Sequence, residues 1–163
     1  MKEIKLTIDG REVKLTKEQI KALGIDVDDG CVCDKVGIGE AYYYIDGFGE
    51  VGYNHYVGDD IDEDYYTIGN YYRSESYAQQ ITLHQQLNNL LRRYSEQHGG
   101  DAEWDGGCHY FICRDTYNRK IYVNSCNVAK TFGAVYFNSR EVANAAVEEV
   151  VKPFLDEHPD FVW

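Results

Sequence analysis

The chain has 163 residues, of which 44% are hydrophobic and only two are proline, and a net charge of −12. That length suits a single domain burying roughly two-thirds of its unfolded surface around one core, and the apolar content excludes a disordered chain. No apolar run approaches the ~20 residues of a membrane helix, and the charged start MKEIKLTIDG is unlike a secretion signal, so a cytoplasmic protein of one domain over 1–163 is expected.

In chain order, IKLTI and EVKLT alternate around Asp9-Gly10 and predict a hairpin. TKEQIKALG follows with Thr16 as N-cap, Gln19 completing a capping box and Gly24 as the stop, so residues 1–25 form a hairpin and a short helix. Hairpin turns around Asp46-Gly47 account for the glycines of VGIGEAYYYIDGFGEVG. The acid-rich GDDIDED reads as a loop. A helix begins after Ser74 and runs to about Gln97, with Tyr77, Ile81, His84, Leu87, Leu91 and Tyr94 on one stripe and His84 in the core. CHYFICRDTYNRKIYVNSC predicts a hairpin turning near Tyr117, and a last helix begins after Ser139 and stops near Pro153.

Two of these stretches repeat. AYYYIDG matches CHYFICR at an offset of 67 residues, and NYYRSESYA matches VYFNSREVA at an offset of 65. A unit of aromatic strand, return strand and helix is therefore duplicated over 40–97 and 107–152, with Ser74 and Ser139 as helix N-caps. The fold class that follows is α+β, an antiparallel sheet of hairpins covered by two amphipathic helices.

Charge is spread unevenly. Residues 26–64 hold twelve acids against the single Lys35, the inverse of a nucleic-acid binder's basic footprint. DDIDED does not fit a calcium loop, because Tyr65 and Tyr71 stand where such a loop needs Gly and Glu. A nucleophilic cysteine is not supported either, since Cys108 and His109 are strand neighbours and point to opposite faces.

Five cysteines is an odd number with no disulfide-scaffold spacing. Cys31 and Cys33 are two apart, so in an extended chain both thiols face one side, and a hairpin turning near Tyr117 sets Cys108 or His109 opposite Cys126. Cys31, Cys33, Cys108 and Cys126 are thus the candidate ligands of a structural Zn²⁺. The acids allow another reading. Asp59, Asp60, Asp62, Glu63 and Asp64, interleaved with Tyr56, Tyr65 and Tyr66, can imitate nucleic-acid phosphates and bind a cationic channel of another protein.

The blocks LTKEQIKALG, GEAYYYIDGFGEV, GNYYRSESYA and VYFNSREVANAAVEEV together resemble small acidic proteins encoded in phages and prophages of Firmicutes. The resemblance implies a non-enzymatic inhibitor of the anti-CRISPR kind, whose partner is a host nuclease, foremost the type II CRISPR effector. Such an effector holds its nucleic acids in positively charged channels, and blocking them involves no direct contact with nucleic acid or membrane. A zinc-stabilised structural or adaptor protein of phage origin is the alternative.

Overall fold

The alternating stretches fold as antiparallel hairpins in a computed structural model that describes residues 5–8, 11–14, 34–100 and 107–163. β1 (Lys5–Ile8) pairs with β2 (Arg11–Lys14), β3 (Ala41–Ile45) with β4 (Val51–His55), and β5 (His109–Arg114) with β6 (Ile121–Cys126), giving three two-stranded sheets among the described residues. Helices α1 (Asp60–Thr67), α2 (Glu75–Gln97), α3 (Arg140–Ala146) and α4 (Lys152–Glu157) complete an α+β fold. The expected helix at 16–24, and Cys31 and Cys33, lie outside the described residues. By its internal contacts the chain divides into two compact units, Met1–Ala78 and Gln79–Trp163.

The duplicated motif is visible in backbone hydrogen bonds. In the first unit Tyr43 and Tyr72 exchange a pair at 2.7 and 2.8 Å; in the second, Tyr110 and Phe137 exchange theirs at 3.0 and 2.8 Å. These positions differ by the same 67 and 65 residues as the sequence matches. The preceding tyrosines correspond too. Tyr71 and Tyr136 are both buried, and each hydroxyl accepts a backbone N–H, from Val36 at 3.2 Å and from Thr131 at 2.8 Å. One aromatic pair therefore anchors the chain beside a hairpin immediately before each helix, and Ser74 and Ser139 cap those helices by accepting from the N–H of Tyr77 and Val142.

Between its hairpin and this anchor, the first unit carries an element that the loop expectation missed. Residues 60–67 are the helix α1, whose N-cap Asp59 accepts from the N–H of Asp62 at 2.9 Å. Its end is closed by Gly69, at φ +75°, in a double bond pattern: Gly69 N–H to the Tyr66 carbonyl at 3.1 Å and Asn70 N–H to the Tyr65 carbonyl at 2.9 Å. The core beneath it is aromatic. Val36, Tyr42 and Tyr71 are buried, Tyr44, Tyr56 and Tyr65 pack on them, and the rings of Tyr42 and Tyr71 stack at 4.2 Å.

The second unit has an aliphatic core. Leu87, Leu91 and Tyr94 of α2 meet Val123, Phe137, Ala143, Ala146, Val147, Val151, Phe154 and Phe161. His84, expected in the core, is exposed, with its ring against Phe161 at 4.7 Å. Tyr77, in the first unit, is likewise exposed. The last helix does not stop at Pro153: a π-helical segment, Val147–Val151, joins α3 to α4, and the chain stays helical to Glu157. Proline offers no N–H and its ring crowds the carbonyl four residues back, so a widened turn just before it lets the helix continue.

Candidate functional site

The acids of DDIDED are sorted by the phase of α1. At about 100° per residue, Asp60, Ile61, Asp64 and Thr67 share one side of the helix, and Asp62, Glu63, Tyr65 and Tyr66 share the other. Asp62 is fully buried. Its Oδ1 accepts from the Tyr42 hydroxyl at 2.8 Å, and its Oδ2 accepts from the N–H groups of Val57 at 2.7 Å and Gly58 at 2.9 Å. Burial by itself pushes this carboxyl up. The bonds from Val57, Tyr42 and Gly58 outweigh it and hold Asp62 below the ordinary aspartate value. Tyr42 moves the other way, raised by its burial and by its bond to Asp62.

Glu63, half-exposed, is engaged as well. It pairs with Lys35 and accepts from the Tyr56 hydroxyl at 2.9 Å, and these partners, Lys35 first, lower its carboxyl. The Lys35 ammonium is raised in turn by that bond and lies 4.5 Å from the centre of the Tyr66 ring. Tyr65 stacks on Tyr44 at 4.6 Å, and Tyr66 meets Tyr71 edge-on at 5.6 Å. Of the eight residues expected to meet a partner, Asp62 therefore presents no carboxylate to any surface, Glu63 is neutralised by the lysine it faces, Tyr56 and Tyr65 belong to the packing of the unit, and Tyr66 packs edge-on to Tyr71 while staying partly exposed. Asp59 is exposed but serves as a cap, whereas Asp60 and Asp64 are exposed and none of the described residues forms an ion pair with them.

The same face holds two residues that a charge-based reading passes over. Ile61 is 60% exposed and Ile68, just past the helix end, 71%. Asp60, Ile61, Asp64 and Ile68 thus line one side of α1 as carboxylates with aliphatic groups between them. Spacings of three and four residues were the available signal, but only once the segment is read as helical.

The hairpin of the second unit has the register expected of it. β5 and β6 pair His109 with Cys126, so His109, not Cys108, is the residue opposite. Cys108 is exposed and, as the neighbour of buried His109 in the chain, sits on the alternate face of the strand direction. The Cys126 sulfur lies 3.4 Å from the Ala129 carbonyl oxygen, and the N–H groups of Val128, Ala129 and Asn127 lower its thiol. Cys113 is raised by burial. Among the described residues no cluster of three or more His, Cys, Asp or Glu is placed to hold a metal ion, and no helix is long and apolar enough to cross a membrane. No protein family, no curated protein and no solved structure matches the chain.

Proposed function

We propose that the chain is a non-enzymatic binding protein that seats the outer face of α1 in a cationic groove of a nucleic-acid-handling enzyme, in the narrower version the type II CRISPR nuclease implied by the phage-protein resemblance. One observation carries the reading: Asp60 and Asp64 stand one turn apart on an ordered helix with Ile61 and Ile68 beside them, and no cation of the described residues pairs with them. Helix-borne carboxylates at this spacing give complementarity to a basic groove, and the exposed aliphatic side chains supply apolar area that binding removes from water. The remaining acids support the helix: Asp59 starts it, and Asp62 and Glu63 fasten it to the tyrosine core.

Binding to the type II nuclease, measured by surface plasmon resonance, is expected to weaken by at least about tenfold in the double variant D60K/D64K, and to weaken further as salt is raised. A complex indifferent to both changes, or the absence of any complex, overturns the reading. A second reading, a zinc-stabilised adaptor, is favoured by the register that sets His109 against Cys126.

A further inference from the structure

Far along the chain from the acids, the second unit has a cavity of opposite character. It measures about 570 Å³ and is walled on one side by the start of β6 and on the other by α3, the π-helical segment and the first residue of α4. Arg119, Lys120 and Lys152 line it with the single acid Glu148, in a protein whose net charge is −12. Ile121 and Val147 add apolar wall.

Two of those cations have no acidic partner among the described residues. Lys152 is compensated by Glu148, which receives its ammonium at 2.6 Å on both oxygens. The nearest acid in sequence to Arg119 and Lys120 is Asp115, and its Oδ1 is occupied by the N–H groups of Tyr117 at 2.8 Å and Asn118 at 3.1 Å. Arg119 also departs from ordinary backbone: at φ +60° it is the one described non-glycine residue with positive φ. The opposite wall includes the π-helical turn. Arg119 and Lys120 are neighbours in sequence and both line the cavity, and an anion there would offset their like charge.

We propose that this cavity is a binding site for a phosphorylated small molecule of nucleotide size. The Arg119 guanidinium and Lys120 ammonium hold the phosphate, the first suited by its planar fork to two phosphate oxygens and the second acting as a point charge. Ile121 and Val147 flank the organic part, and the volume lies within the range of small-ligand sites. Glu148 opposes the anion and sets a limit on its affinity.

The experiment is a titration of the full chain with AMP, followed by two-dimensional amide NMR, with inorganic phosphate and adenosine as separate arms. AMP is expected to shift the amides of residues 119–122 and 144–148 with a dissociation constant near or below about 1 mM. Adenosine, lacking phosphate, should leave them in place, and inorganic phosphate should bind at least threefold more weakly than AMP. R119A/K120A should cost at least about tenfold in affinity, while E148Q should tighten binding, a gain that a damaged fold does not produce. Absence of AMP shifts up to about 10 mM, adenosine binding as well as AMP, phosphate binding as well as AMP, or an E148Q variant no tighter than the parent would each overturn the proposal.

Discussion

A carboxylate taken out of water is tolerated only when donors replace the lost hydration, and Asp62 has three: a hydroxyl and two backbone N–H groups. Replacing Asp62 by Ala leaves all three without their acceptor and is expected to cost about 3 kcal/mol of stability in urea unfolding, against less than about 0.5 kcal/mol for Asp60→Ala on the open face. The pH dependence follows from the direction of the shift. Because the folded carboxyls of Asp62 and Glu63 lie below their ordinary values, their contribution is fully present above the unfolded pKa of about 4 and is lost as pH falls through the folded value. The parent should therefore lose stability steeply below about pH 4, and D62A should show a shallower slope there; equal slopes would exclude Asp62 as a source of acid sensitivity. Nothing in the local sequence separates Asp62 from Asp60 or Asp64. Only the helical phase decides which of them faces the tyrosines.

Elements were legible where their pattern was long or their punctuation strong. The hairpins, both serine caps and the span of α2 follow from alternation, tight-turn residues and a helical stripe. Helix α1 was not legible as such, because its eight residues contain no aliphatic stripe and its inner side consists of Asp62, Glu63, Tyr65 and Tyr66. Its signals were at the ends, Asp59 before the first turn and Gly69 after the last. Gly69→Ala is accordingly expected to destabilise the first unit by about 1 kcal/mol, since alanine resists the left-handed backbone there. Gly52 is constrained differently. It pairs across the hairpin with Tyr44, and a Cβ on it would stand 2.7 Å from that ring. Gly52→Ala must displace Tyr44 from its stack on Tyr65, at a cost of about 1–3 kcal/mol, read as an earlier urea midpoint. A midpoint equal to the parent's would mean that the ring moves freely. The run past Pro153 was hidden for a related reason: a proline reads as a stop unless the preceding turn widens, and that depends on packing.

For the whole molecule, net charge does not say which carboxylates face solvent. A total of −12 reads as a surface property, yet Asp62 and Glu63, central to the acid-rich run, serve the fold, leaving Asp60 and Asp64 as the carboxylates of α1 free to meet a partner. The duplication was legible because it lies in local strings, AYYYIDG with CHYFICR and NYYRSESYA with VYFNSREVA, and the paired bridges repeat it in the backbone. The metal question joins sequence and structure in the same way. In the sequence Cys31 and Cys33 are two apart, the spacing that turns two thiols to one side of an extended chain, and in the hairpin His109 stands opposite Cys126. If the adaptor reading holds, the purified chain should contain about one zinc per molecule, four-coordinate with sulfur and nitrogen ligands, Cys126 and His109 among them. Cys126→Ser should then lower that content and reduce the melting temperature, and Cys108→Ser should change neither, because Cys108 is exposed and stands just before β5, one residue out of phase with His109. Zinc well below stoichiometric by elemental analysis would leave the cysteines as small buried or exposed side chains and remove the adaptor reading, while the acidic face of α1 would stand or fall on its own charge variants.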